Sequence, residues 1–229
     1  MNPVQLTNYS LNEIDRFRTA FAHIGVAQIA DAAAEFVKVV RLALQARTAE
    51  RRVCGPVFPV TTDNDMLPCL QALAQAPAGW IVVLSNLAAE SQALAGDIYM
   101  VAAQTQVLGG VVVDGAVRDI GDIEKMTIPV FSTTVTYVSA RTTDQPAQHV
   151  PQPITLGGVQ IEPGDWIFGD PDGFLVIDAA QVSSAIMGAR VLRAREGKLK
   201  DALRHDHSLA QLIGLDAFLS GDAPLGFSP

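Results

Sequence analysis

The spacing of apolar positions changes about two thirds of the way along the chain. In the first part, short unbroken apolar runs alternate with segments of helical spacing. Ser10-Leu11-Asn12-Glu13 is a helix start, with Ser10 as cap and Glu13 reaching back, and the helix continues through Phe17 and Phe21. Val26 to Phe36 predicts a second short helix. Val53 to Thr61 predicts a strand broken by Gly55-Pro56, and Met66 to Ala76 an amphipathic helix ended by Pro77-Ala78-Gly79. Trp80 to Leu84 is a buried strand, and Ser85 to Ala95 a loop with a helical turn.

Ile98 to Gln106 has no Pro or Gly and a helical mix of Ala, Met and Gln, opened by Gly96-Asp97. Leu108 to Asp119 then runs Leu-Gly-Gly-Val-Val-Val-Asp-Gly-Ala-Val-Arg-Asp. Its three valines, Val111 to Val113, predict a strand buried on both faces, stopping at the turn signal Asp114-Gly115. Gly121 to Met126 predicts a surface helix, Pro129 to Thr136 a strand, and Thr142 to Pro153, with its three prolines, an excursion. From Ile154 the period is two. Ile154-Thr155-Leu156, Val159-Gln160-Ile161, Trp166-Ile167-Phe168 and Phe174 to Ile177 predict short strands separated by Gly-Gly, Pro-Gly-Asp and Asp-Gly turns. Ala179 to Arg204 predicts a long helix and Ser208 to Leu219 a last short one. The class is α/β, without internal repeats.

At 229 residues and 49% hydrophobic, the chain can bury a sizeable core. It reads as a single domain, 1–229, with N-terminal helices over 1–50, a core over 51–178 and C-terminal helices over 179–229. The net charge of -8, without a basic tract, excludes a nucleic-acid surface. Cys54 and Cys69 read as buried thiols of a reducing compartment. The first residues show no basic segment followed by an apolar one, and no uncharged apolar run reaches spanning length, so a cytoplasmic protein away from membranes is expected.

Candidate chemistry lies where the valine strand ends. Arg118 and Asp119 follow at once, and Asp97 stands twenty residues earlier at a helix start, giving D-x20-R-D. One helix and one strand span that length, so both ends meet at one sheet edge. A guanidinium fork suits a carboxylate, a carboxylate suits a hard divalent cation, and the amides of a helix start attract an anion. In an acidic chain these local charges must hold an anionic substrate by themselves. Each residue also has a plainer use. Asp97 fits a helix cap, Arg118 and Asp119 a mutual pair, Asp114 a turn, and Asp170 and Asp172 the turn between two strands. His205 and His207 fit a helix C-terminus, and Glu196 a helical surface pair. No Lys stands near the Asp97 to Asp119 set, which disfavours a Schiff base there.

Read with its flanking glycines, GGVVVDGAVRD with D-x20-R-D resembles the class II pyruvate aldolases acting on 4-hydroxy-4-methyl-2-oxoglutarate and 4-carboxy-4-hydroxy-2-oxoadipate. Their non-aldolase relatives are the RraA-like regulators of RNase E. The similarity runs from Arg51-Arg52-Val53-Cys54-Gly55-Pro56 to Gly164-Asp165 and Gly169-Asp170-Pro171-Asp172-Gly173, well over half the chain. The resemblance implies a β/β/α sandwich of the swivelling-domain kind with flanking N- and C-terminal helices. It also implies a homotrimer or homohexamer with sites near subunit boundaries.

For the chemistry, the resemblance implies Mg2+, with Mn2+ tolerated, on Asp119. Arg118 braces the substrate, amides over Gly96, Asp97, Ile98 and Tyr99 hold its carboxylate, and Asp97 orients a water. The reaction the resemblance implies is retro-aldol release of pyruvate in aromatic degradation, with oxaloacetate decarboxylation as an expected side activity. A Glu on a neighbouring subunit's C-terminal helix matches Glu196, where Gly197 interrupts the usual pattern. The alternative is a regulator that binds a protein partner such as a ribonuclease. In that branch the Asp after the Arg is often replaced, and here Asp119 is present. Ser132 to Arg141 departs from the family's Ala-Arg-Gly run, which leaves the second substrate carboxylate without an assigned residue.

Overall fold

The computed structural model describes residues 9–88, 92–142, 149–205 and 208–226. Helix α1 (Leu11–Phe21) starts as the sequence predicts. Ser10 Oγ accepts the Glu13 N–H at 3.3 Å, and Glu13 Oε2 accepts the Ser10 N–H at 2.9 Å. Helix α2 (Val26–Ala32) ends four residues before the expected Phe36, because the chain turns at Ala33 and enters a strand. That strand, β1 (Lys38–Val40), and β2 (Gln45–Ala46) lie at the two edges of the main sheet, within a stretch expected to be helical. Three and two residues are too few to show a period.

Strand β3 (Val53–Thr62) is not broken at Gly55-Pro56. It changes neighbour there. Val53 to Pro56 pair antiparallel with β10 (Trp166–Asp170), and Val57 to Thr62 pair parallel with β4 (Ile81–Asn86). Pro56, which has no N–H to give, sits at the exchange. Between β3 and β4 runs α3 (Met66–Gln75), its Leu67 N–H accepted by Asp65 Oδ1 at 2.9 Å. After β4 a short strand, β5 (Ala93–Ala95), closes the stretch expected to be a loop with a helical turn, of which residues 89–91 lie outside the described residues. Then come α4 (Asp97–Thr105), β6 (Gly110–Val117), α5 (Ile120–Ile123) and β7 (Val130–Val135).

Strands β3, β4, β6 and β7 are parallel neighbours, and β5 extends the far end of β6. The Asp114-Gly115 pair does not end β6. The register against β7 shifts between Val113 and Ala116, and Gly115 takes φ +152°, so the pair forms a bulge. The Thr133 hydroxyl holds it, accepting the Gly115 N–H at 2.9 Å and donating to the Gly115 carbonyl at 3.0 Å.

The hairpin β8 (Ile154–Leu156) and β9 (Val159–Ile161) follows, then β10, β11 (Gly173–Ile177) and α6 (Val182–Arg204). The expected last helix is two, α7 (Leu209–Leu212) and α8 (Leu215–Leu219), separated by Gly214 at φ +69°. The main sheet runs β1-β11-β10-β3-β4-β6-β7-β2.

The valine run shows the layering. Val111 and Val113 belong to the same buried cluster as Phe58, Leu84, Met100 and Ile186 on the helical side, and Val112 to the one with Val83, Leu156 and Ile161 beneath the β8–β9 hairpin. All three are fully buried, each side chain contributing about 1.5–3 kcal/mol of transfer free energy. A hairpin on one face and helices on the other make a β/β/α sandwich, as the resemblance implies. No helix among the described residues is long and apolar enough to cross a membrane.

Candidate active site

The strand end and the helix start expected to converge do so. Strand β6 finishes at Val117, and the Arg118 N–H bonds to the Ala95 carbonyl at 3.1 Å, which ties the end of β6 to β5 and so to the start of α4. Gly96 is the cap residue of α4 and leaves room for what lies beside it. A Cβ on Gly96 would stand 2.3 Å from Asp119 Oδ2 and 3.1 Å from Arg118 Cγ.

Asp119 has φ +59° and ψ +39°, a left-handed conformation unusual outside glycine and best tolerated by Asn and Asp. It precedes α5 but makes no side-chain cap there. Its carboxylate instead faces the site. Oδ2 accepts Arg118 Nε at 3.1 Å and the Asp97 N–H at 3.4 Å. Among the described residues Oδ1 has no hydrogen-bond partner. Both side chains are a little over one third exposed, so the pair borders solvent. The plainer use of Arg118 and Asp119, a mutual pair, is therefore present, and it orients the carboxylate instead of consuming it.

A cavity of about 260 Å³ adjoins this group, lined by Gly96, Asp97, Ile98, Tyr99, Arg118 and Asp119 together. Its apolar wall comes from Met66, Leu70 and Leu73 of α3. None of the lining residues is a lysine. Two of the α4 amides expected to be free are engaged by carboxylates. Ile98 N–H is held by Asp97 Oδ1 at 2.7 Å, and Asp97 N–H by Asp119. The Tyr99 side chain is buried and donates to the Cys69 carbonyl at 2.9 Å, fastening α4 to α3; burial raises its pKa well above the ordinary tyrosine value.

Several plainer readings hold. Asp170 Oδ1 accepts the Asp172 N–H at 2.9 Å in the β10–β11 turn, and Oδ2 accepts the Val26 N–H at 2.8 Å, serving the start of α2. Cys54 and Cys69 are buried, and burial pushes the Cys69 thiol to about 12 and the Cys54 thiol higher, so neither is a nucleophile at neutral pH. His205 Nδ1 lies 2.8 Å from the Asp201 carbonyl oxygen, and His207 lies outside the described residues. Glu196 does not line the cavity of its own chain. It accepts Gln28 Nε2 at 2.9 Å and faces Lys200 Nζ at 3.6 Å.

The sequence reading missed Ser139, which joins the cavity because an isolated bridge pairs it with Ala93. Ser139 also lines a neighbouring cavity of about 530 Å³ with Arg141, Asp63 and Asn64. No motif marks Arg141. Its backbone bridge to Asp65, at the start of α3, brings it there.

The donor set bears on a metal. Among the described residues no cluster of three or more His, Cys, Asp or Glu could hold an ion. The described residues therefore form no closed cage of the structural-zinc kind. An oriented carboxylate with one oxygen unengaged, and Asp97 beside it, fits Mg2+, which keeps several waters and takes further oxygens from its substrate.

A family model described as RraA-like, Aldolase/RraA, matches residues 26–176. A protein of Halalkalibacterium halodurans named "Putative 4-hydroxy-4-methyl-2-oxoglutarate aldolase" is 34% identical over 144 residues, covering 62% of this chain and 68% of that protein. Among solved structures, an uncharacterized protein from Pseudomonas syringae pv. tomato superposes with a TM-score of 0.74 over 92% of this chain and 98% of its own, at 22% identity. The RNA-processing inhibitor RraA from Thermus thermophilis superposes with a TM-score of 0.61 over 66% of this chain and 90% of its own, also at 22% identity.

Proposed function

The chain belongs to the RraA-like family of aldolases and RraA proteins, and from that premise we propose that it is a divalent-metal-dependent lyase. It releases pyruvate from 4-hydroxy-4-methyl-2-oxoglutarate or 4-carboxy-4-hydroxy-2-oxoadipate and decarboxylates oxaloacetate as a side activity. One observation carries the reading. The Asp119 carboxylate is held by Arg118 Nε and by the first amide of α4 at the mouth of a cavity, with its second oxygen unengaged.

The chain's own residues divide the work. Arg118 spends Nε on Asp119, which leaves both terminal nitrogens for the substrate's 1-carboxylate and 2-oxo oxygens. The start of α4 adds its positive dipole end to the same anion. Asp119 would hold Mg2+ or Mn2+, which when bound would supply Lewis-acid stabilisation of a 2-oxo group. The C4-hydroxyl proton passes through a water to the Asp97 carboxylate, which holds that water. The C3–C4 bond then breaks, its electron pair passes to the pyruvate fragment, and the same water returns a proton to C3. The apolar α3 wall keeps the remaining water away from the reacting carbons. Arg141, across Ser139, receives the carboxylate at the far end of the substrate.

The working form is a homotrimer or homohexamer. Ile98, beside the cavity, is 78% exposed in the single chain, and neither α7 nor α8 has a buried residue. A second subunit covers such surfaces and brings its Glu196 toward the site. A non-catalytic regulator that binds a ribonuclease is the second reading. The likeness to the Thermus protein is one of fold, and the oriented Asp119 favours the enzyme. The test is pyruvate release by the purified chain with Mg2+ from the two aldol substrates and from oxaloacetate. Silence on all three removes this reading.

A further inference from the structure

We propose that a second cavity, at the opposite end of the parallel strands, binds a small dicarboxylate. It is lined where β3, β6 and β7 begin, by Val53, Leu108 and Pro129, whereas the site above lies where β6 ends. Its volume is about 450 Å³, within the range of small-molecule sites.

Two guanidiniums line it, and the lyase reading uses neither. The Arg52 guanidinium lies 4.3 Å from the Phe21 ring centroid and donates through Nη2 to the Phe21 and Ile24 carbonyls. Its Nε is buried without an acceptor, and among the described residues no carboxylate lies within ion-pair distance of it. Glu50, the one acid lining the cavity, instead accepts the Arg52 backbone N–H at 2.9 Å. Arg18 donates through Nε to the Cys54 carbonyl at 2.9 Å and through Nη2 to the Gly79 carbonyl, and its Nη1 meets Asp15 at 3.5 Å. The lining thus carries two guanidiniums and one carboxylate, and of the two Arg52 is the one without an acidic partner among the described residues.

The backbone accommodates these cations. A Cβ on Gly109 would stand 1.8 Å from Arg18 Nη2, so Arg18 lies where only glycine leaves space. Val107, also in the lining, takes φ +58°, an outlier for a β-branched residue and a form of strain concentrated at ligand sites. An unpaired, half-buried guanidinium is costly and calls for an anion. Phe21, Val53, Leu108 and Ile128 supply an apolar wall that free phosphate would not use but a short hydrocarbon chain would. Two guanidiniums around such a wall fit a carboxylate at each end.

The experiment is calorimetric titration of succinate into metal-stripped full-length protein. A saturable site is expected that persists in Arg118→Ala, where the clamp at the end of β6 is gone, with no binding of the neutral analogue succinamide. Arg52→Gln should weaken succinate at least about tenfold. Because Arg52 also supports two carbonyls, a second variant, Gln104→Glu, keeps the fold under test. It retains the side-chain oxygen that accepts from Thr127 and Ile128 while adding a negative charge to the lining, and it should weaken binding to a similar degree. Absence of binding, loss in Arg118→Ala, equal binding of succinamide, or full binding in Gln104→Glu overturns the proposal.

Discussion

Asp119 Oδ2 occupies the space that a side chain at Gly96 would need, 2.3 Å from the Cβ position. Gly96 itself has an ordinary extended backbone, φ -135°, so its value lies in closeness and not in conformational freedom. Gly96→Ala should therefore leave the fold intact and displace the carboxylate. A misplacement of this size costs catalysis roughly 10²-fold. Steady-state rates beside a melting curve check it; a fully active variant would mean that Asp119 does not need its present position.

Arg118→Lys keeps the charge but not the planar fork that holds Asp119 and is proposed to clamp the substrate. A fall of about 10²-fold or more in kcat/KM for the aldol substrates is expected. Near-normal turnover would remove Arg118 from the role of clamp.

Arg141 gives a different signature. If it receives the distal carboxylate, Arg141→Gln raises KM for 4-hydroxy-4-methyl-2-oxoglutarate about tenfold, while exchange of the pyruvate methyl protons with solvent is unchanged, since pyruvate has no distal carboxylate. An equal loss in both assays would place the effect at the reacting end.

The capping box of α1 makes a pH prediction. The Ser10 side chain, then the Ser10 backbone N–H, holds the Glu13 carboxyl below its ordinary value of 4.5. A lowered carboxylate stabilises the fold above the unfolded value and loses that contribution as pH falls through the folded value. Glu13→Gln can keep the cap but not the charge. The melting temperature of the unmodified chain should fall toward that of the variant below about pH 4.5. Parallel curves across the acid range would show that the charge contributes nothing.

Local signals were the legible part of the fold. Ser10 and Glu13 lie three apart, and their cap needs nothing from elsewhere in the chain. The valines of β6 identify a strand buried on both faces, and that burial fixes where Arg118 and Asp119 emerge. Signals that depend on partners were misread. Gly55-Pro56 punctuates a strand that simply changes neighbour, and Asp114-Gly115 is a bulge because Thr133 of the next strand holds it. β1, β2 and β5 exist only as additions to longer strands. In the site, spacing and resemblance together brought out Asp97, Arg118 and Asp119. The α3 wall, Ser139 and Arg141 arrive by tertiary bridges that leave no period in the sequence. Glu196 is separate from the site in one chain, where Gln28 and Lys200 engage it.

The central claim is that Asp119 holds the metal on which pyruvate release depends. Its most direct test is release of pyruvate from 4-hydroxy-4-methyl-2-oxoglutarate, coupled to lactate dehydrogenase, with Mg2+, with EDTA, and with Mg2+ restored. Asp119→Asn is measured alongside, since Asn tolerates the same left-handed backbone. The account predicts activity that vanishes in EDTA, returns with Mg2+, and is absent from the variant at every Mg2+ concentration. Activity that persists in EDTA, or a variant as active as the unmodified chain at limiting Mg2+, would contradict it.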